Sequence, residues 1–139
     1  MKNNETKLKE MMLPILVAIA DDSAVIRDGL TRMLSRMTDV ELAWQAGSVA
    51  EAMAASRLMA PDVIILDVEM PDGKGIEVLQ YIKSDMPKTV VMILSNYAIA
   101  PLQKSYYRAG ADYFYDKSTE FEKIFETLSQ LISKRTQGE

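Results

Sequence analysis

The sequence predicts an α/β domain: a doubly wound, five-stranded parallel sheet with five helices. Three observations carry that expectation. Short apolar runs alternate five times with stretches of helical period. Two of those runs, Val63-Ile64-Ile65-Leu66 and Val90-Val91-Met92-Ile93-Leu94, are apolar without alternation, as strands covered on both faces must be. Strict strand–helix alternation then favours parallel pairing, because parallel neighbours need right-handed helical crossovers.

Taken in order, residues 1–12 are polar and unpatterned apart from Leu8, and read as a flexible leader. The domain is placed at 13–133 and a polar tail at 134–139. Ile15–Ala20 is the first strand. Ile26, Leu30, Met33, Leu34 and Met37 then form one helical stripe. Glu41–Ala46 is the second strand. Ser48-Val-Ala-Glu51 is a capping box opening a helix through about Leu58, and Pro61 prevents its continuation. Asp62–Asp67 is the third strand, and Gly75–Ser84 carries Val78, Leu79 and Ile82 on one helical side. Thr89–Ser95 is the fourth strand. Pro101 suits the first turn of a helix holding Leu102, Tyr106 and Ala109, ended by Gly110. Asp112–Lys117 is the fifth strand. Thr119-Glu-Phe-Glu122 reads as a second capping box, before Phe121, Ile124, Phe125, Leu128, Leu131 and Ile132 at helical spacing.

Composition excludes several function classes. The 139 residues fit a single domain, and 16 basic against 20 acidic side chains give a net charge of −4. That balance argues against a nucleic-acid grip, which needs a concentrated basic face. There is no Cys, so disulfides, thiol nucleophiles and Cys-based metal sites are excluded. There is no His, which removes the commonest general base; a phosphohistidine, if the chemistry uses one, must sit on another protein. Met11–Ala20 is the longest apolar run and is too short to span a membrane. It imitates a signal-peptide core ending in Ala18-Ile19-Ala20, but Glu5 and Glu10 dilute the basic leader and the run is β-branched like a buried strand. The expected compartment is the cytoplasm.

Sheets of this class bind ligands outside the carboxyl ends of their strands. Asp21-Asp22 ends the first strand, Asp67 the third, Ser95 the fourth and Lys117 the fifth. Three carboxylates converging there repel one another by several kcal/mol at an effective dielectric of about 20, a charge that a hard divalent cation would take up. Asp67 is followed by Met70-Pro71-Asp72-Gly73-Lys74-Gly75, of which Pro71-Asp72-Gly73 is turn chemistry. A carboxylate can accept a phosphoryl group, and such transfer needs positioning and charge neutralisation more than covalent help.

On Asp21-Asp22, Ile64-Ile65-Leu66-Asp67, Met70-Pro71-Asp72-Gly73, Ser95 and Lys117, the chain resembles the CheY-like receiver domain of two-component response regulators over about residues 14–132. The resemblance implies a flavodoxin-like strand order of 2-1-3-4-5. It implies Asp67 as phosphoacceptor and Asp22 as a direct Mg²⁺ ligand, with Asp21 reaching the ion mainly through water. Mn²⁺ is expected to substitute. The backbone carbonyl of Glu69 would be a further ligand, beside Asp67 itself. Ser95 would bond the phosphoryl group and Lys117 pair with it. Ser95 and Phe114 would form the switch, Phe114 turning inward as Ser95 moves. Glu69 and Tyr97 occupy positions that tune acyl-phosphate lifetime, and here predict a comparatively long-lived phosphorylated state.

Some residues depart from the family pattern. Ser118 stands where a proline usually follows the lysine. A non-proline cis bond costs about 3–4 kcal/mol, so a trans bond and a re-routed loop are expected. Phe114 has no hydroxyl, so a switch through it must run on packing. Plainer roles exist for several residues: Asp21-Asp22 as a helix cap, Ser95 as a strand-end hydroxyl, the ten Met as core filler. Tyr106, Tyr107, Tyr113 and Tyr115 are expected to divide between core and a partner patch.

The expected function is that of a stand-alone phosphorelay switch rather than an enzyme with an external substrate. A sensor histidine kinase or phosphotransfer protein would modify Asp67. An effector protein would read the helix 4, strand 5 and helix 5 face, with no direct contact to nucleic acid or membrane, and the chain would be a monomer or weak dimer. One alternative is the receiver half of a truncated DNA-binding transcription regulator. Another is a haloacid-dehalogenase-like phosphatase, although Glu69 stands where that family needs a second Asp.

Overall fold

The computed structural model describes residues 3–6, 8 and 13–136. Five parallel strands form the sheet: β1 (Ile15–Ala20), β2 (Val40–Ala46), β3 (Val63–Asp67), β4 (Val90–Ser95) and β5 (Tyr113–Asp116). They lie in the order β2-β1-β3-β4-β5, the 2-1-3-4-5 arrangement the resemblance implies. All four pairings are parallel, and register breaks once, between Val17 and Ala18, where β2 skips Ala43. Five helices connect and flank the strands: α1 (Ala24–Ser35), α2 (Val49–Leu58), α3 (Gly75–Asp85), α4 (Ala100–Arg108) and α5 (Phe121–Thr136). Among the described residues no helix is long and apolar enough to cross a membrane.

The period of two along the strands sorts the core into two layers. Val17, Ile19, Ile65, Met92 and Leu94 face α1 and α5, meeting Leu30, Leu34, Ile124 and Leu128. Ala18, Ala20, Ile64, Leu66, Val91 and Ile93 face the other way, against Val78, Leu79 and Ile82 of α3 and Tyr106 of α4. Every residue of β3 is buried, which is why its sequence shows no alternation. Met70 and Met92 are core residues and Met33, Met37, Met53 and Met86 pack against the core, whereas Met59 is exposed.

Several boundaries differ from the sequence expectation. Residues 4–6 and 8, placed in the leader, are helical, and the Thr6 N–H donates to Asn3 Oδ1 at 2.8 Å. α5 runs through Thr136 rather than ending before residue 134, since Lys134 and Arg135 suit the negative end of a helix and no breaker intervenes. It also starts one residue later than the Thr119 capping box implies. Glu120 flanks the helix instead, its carboxylate accepting from the Asp116 N–H at 3.0 Å and Lys123 Nζ at 2.7 Å. At α2, Ser48 Oγ does accept from the Glu51 N–H, but the Glu51 carboxylate takes the Gly47 N–H. Two further donors at that helix end go to Asp72, from Val49 N at 2.7 Å and Ala50 N at 2.9 Å. Asp72 is therefore a long-range helix cap as well as a turn residue, and those N–H groups hold its carboxyl below the usual range.

Candidate functional site

Asp21 closes β1 and Asp67 closes β3; these strands are direct neighbours, so parallel pairing alone brings the two carboxylates to one rim. Asp21 is almost fully buried, its Oδ1 accepting from the Ser23 N–H at 2.9 Å. The α1 N-cap is Ser23, whose Oγ accepts from the Ile26 N–H, so neither Asp21 nor Asp22 is spent on capping. Asp22 is exposed on the cleft side. Carboxylate oxygens of Asp21, Asp22 and Asp67 all lie within 4.8 Å of one another.

Lys117 leaves the end of β5 and crosses to this group. Its Nζ lies 2.8 Å from Asp21 Oδ2 and 3.1 Å from Asp67 Oδ2, and its side chain is 8% exposed. The loop that aims it is built on Asp116. That carboxylate accepts from Ser118 N at 2.8 Å, Ser118 Oγ at 2.6 Å and Thr119 N at 3.2 Å. No peptide bond among the described residues is cis, so the turn after Lys117 is made by side-chain acceptance rather than by a proline.

Charge in the site is unbalanced, with three carboxylates around one ammonium. Burial raises the Asp67 carboxyl, the Asp21 charge raises it further, and Lys117 only partly offsets them; it stands at about 6. Burial disfavours the charged form of Lys117, but its hydrogen bond to Asp21 and the two carboxylate charges outweigh this and hold it above its usual value. A site that raises the pKa of one carboxyl and holds its lysine firmly in the charged form is short of positive charge. Its donors are hard oxygens, which fit a divalent ion such as Mg²⁺.

A cleft of about 580 Å³ opens over Asp67, with Glu69, Ser95, Tyr97 and Lys117 along its walls. Gly75 sets the approach of α3 to the end of β3. A Cβ at that position would fall 2.1 Å from the Asp67 carbonyl oxygen, so only glycine lets α3 start this close to the acceptor strand. At Gly73, in the turn, the nearest obstacle to a Cβ is instead the flexible Glu77 carboxylate. Between Asp67 and Gly75, Glu69–Met70 pairs with Gly73–Lys74 in a two-residue antiparallel ladder that the strand runs did not reveal.

Other predicted residues stand as follows. Ser95 is buried, but its hydroxyl serves its own loop, accepting from Tyr97 N and donating to Tyr97 O, both at 3.0 Å. It is near Asp67 without being engaged there. Phe114 is already inside the core, edge-on to Tyr106 at 5.8 Å between ring centres. Phe114 thus occupies the inward position in this structure. The Glu69 side chain is exposed, while its N–H leans toward Asp67 Oδ1 at 3.4 Å. Tyr97 is 70% exposed at the cleft mouth. Among the tyrosines, Tyr106 is core, Tyr113 and Tyr115 stack at 6.0 Å, and Tyr107 is exposed.

Sequence reasoning missed three contributors. Arg27 donates to the Asp21 carbonyl at 2.7 Å, lashing α1 to the strand end. Asn96 lines the cleft beside Tyr97. Tyr106 reaches the Val68 carbonyl at 3.5 Å; burial first, with the Asp67 and Glu69 charges, pushes its phenol up. Its helical offset from Leu102 was the signal for an inward face.

Comparison with known proteins agrees with this arrangement. A family model described as the response regulator receiver domain matches residues 17–129. The DNA-binding transcriptional activator DevR/DosR of Mycobacterium tuberculosis is 42% identical over 83 residues, covering 60% of this chain and 38% of that protein. The response regulator protein VraR of Staphylococcus aureus is 31% identical over 130 residues, covering 91% of this chain and 59% of that one. The crystal structure of the response regulator domain of Thermotoga maritima CheB superposes with a TM-score of 0.75 at 29% identity, covering 89% of this chain and 97% of that one. The chain thus spans less than two thirds of these two curated relatives.

Proposed function

The chain belongs to the response regulator receiver family, and from that premise we propose that it is a phosphorelay switch whose phosphoacceptor is Asp67. The observation that carries this is the position of the Asp67 carboxylate, at a strand end on an open cleft, with Lys117 Nζ at 3.1 Å and two further carboxylates beside it. An Asp67 oxygen attacks the phosphorus of a phosphohistidine on a sensor kinase or phosphotransfer protein. The new O–P bond replaces the N–P bond, and the imidazole leaves with its electron pair. Lys117 already touches Asp67 and pairs with the charge carried in. Ser95 gives up its contacts with Tyr97 to bond the phosphoryl oxygens. Asp21 and Asp22, with Asp67 and the Glu69 carbonyl, would hold Mg²⁺, which supplies neutralisation of phosphoryl charge.

The modification is stoichiometric rather than turnover of an external substrate. Its readout surface is the α4, β5 and α5 face, where Ile99 and Tyr107 are exposed. A second reading has a specific observation behind it. DevR/DosR is named a DNA-binding activator and this chain covers 38% of it, which fits a receiver portion of a longer DNA-binding regulator. The intact mass of the natively expressed protein separates the two.

The phosphoacceptor reading is tested with acetyl phosphate, with and without Mg²⁺, followed by intact mass. One metal-dependent phosphate adduct, absent from Asp67→Asn, is the expected result. An adduct that persists in Asp67→Asn, or none in the wild type, overturns the assignment.

A further inference from the structure

The loop that leaves Asp67 is a small hairpin with a narrow neck. Glu69–Met70 pairs with Gly73–Lys74 along its two arms, and the Gly75 N–H closes the neck on the Val68 carbonyl at 2.7 Å. Asp72 ties its tip to α2 through the Val49 and Ala50 N–H groups. The arms therefore move as one unit. The direction of every carbonyl on them, that of Glu69 included, follows from how the neck is held.

From α4, Tyr106 reaches that neck. The residue is 3% exposed, and its hydroxyl lies 3.5 Å from the Val68 carbonyl oxygen. The Ile76 N–H, just past the neck, also faces the phenol oxygen. Its ring stands edge-on to Phe114, with 71° between the ring planes. Packing alone does not call for a phenol here. A phenyl ring would fill the same space, as Phe114 does beside it, and would spare the cost of taking a hydroxyl out of water. The Val68 carbonyl keeps a second lone pair once Gly75 has taken the first, and the phenol has a proton to give it.

We propose that Tyr106 is a positioning residue for the divalent ion: a strut from α4 that fixes the hairpin neck and so aims the Glu69 carbonyl toward the carboxylates of Asp21, Asp22 and Asp67. This rests on the ion-binding part of the reading above and not on phosphoryl transfer. Tyr106 acts through the backbone of Val68 and Ile76 and leaves the ion to the other residues. Its effect is on precision rather than on charge. Mg²⁺ demands near-ideal octahedral oxygen geometry, whereas Ca²⁺ accepts longer and more variable contacts. A neck released from α4 is therefore felt by Mg²⁺ far more than by Ca²⁺, while a general loss of stability would weaken both alike. The strut also works in reverse, since a contact that biases the ion site is biased by the ion in turn.

Amide NMR titrations of the full chain with MgCl₂ and with CaCl₂ test this, on the wild type and on Tyr106→Phe, which removes the hydroxyl and keeps the ring. The wild type is expected to bind both ions, with shifts across Glu69–Lys74 and, for Mg²⁺, across Ser105–Arg108 of α4 as well. Tyr106→Phe should lose Mg²⁺ affinity about fivefold, the order of one hydrogen bond, and hold Ca²⁺ affinity within about twofold. Its α4 shifts should vanish while those of the hairpin persist. Asp67→Asn should weaken both ions, which assigns the shifts to this site. Equal losses for the two ions in Tyr106→Phe would make the residue a structural support and overturn the proposal, as would an unchanged Mg²⁺ affinity; either result leaves the phosphoacceptor reading standing. A wild type whose hairpin amides ignore Mg²⁺ overturns the ion site and the strut together. A chain that binds Mg²⁺ as expected but gains no phosphate from acetyl phosphate overturns the phosphoacceptor alone and leaves the strut in place.

Discussion

Lys117 Nζ bridges Asp21 and Asp67, 2.8 Å from one carboxylate and 3.1 Å from the other, with its side chain almost wholly out of water. It is a single cation shared between the ends of two adjacent strands, and it ties β5 to a site that β1 and β3 build.

Lys117→Met therefore leaves two buried carboxylates facing one another without a counter-charge. Stability at neutral pH without divalent ions should fall by roughly 3–5 kcal/mol, by analogy with other broken buried pairs. Millimolar Mg²⁺ should recover much of it. Urea unfolding with and without Mg²⁺ measures both effects; a loss that Mg²⁺ does not touch would show that the ion and Lys117 do not share the same carboxylates.

The Asp67 carboxyl, pushed up to about 6 from the ordinary carboxylate range, sets a direction in pH. The folded chain binds this proton more tightly than the unfolded chain. Its contribution is thus most favourable at acid pH and declines as pH rises from about 4 to about 6, where it levels off. Asp67→Asn should be more stable than wild type at neutral pH by up to roughly 3 kcal/mol, and the gap should close toward pH 4. Melting temperatures of both across that range decide it. A gap that widens on acidification would reverse the sign claimed here.

Phe114 is a core residue, and Phe114→Ala should cost about 3–5 kcal/mol. A ring that spent most of its time outside would cost far less. A loss below about 1 kcal/mol in denaturant unfolding would rule out the inward position as the resting one.

Glu69 and Tyr97 stand at the cleft mouth without supporting the fold, since both are exposed. In the proposed phosphorylated state, the carboxylate would repel an incoming hydroxide-like water and the ring would shield the phosphoryl group. Glu69→Asn and Tyr97→Ala should each shorten the lifetime of the phosphorylated protein while leaving the melting temperature within about 1 °C, as surface substitutions usually do. Decay followed by intact mass checks this; unchanged half-lives would remove both residues from any tuning role.

Much of this was legible in the chain. Uninterrupted apolar runs identify β3 and β4 because a strand sandwiched between helices has no wet side to mark. The strand-end polar residues announce the site because parallel strands deliver all their carboxyl ends to one rim. What the chain by itself determined is the set of elements and the inventory of chemistry, since both follow from local periodicity and residue type. Only the tertiary structure decided that Asp72 caps a helix 22 and 23 residues away, that Gly75 rather than Gly73 is the steric necessity, that the Ser95 hydroxyl serves its own loop and that Phe114 lies inside. Each of those depends on distances between segments far apart in sequence, and no local pattern encodes which of several polar or apolar partners a side chain finds once the layers have closed.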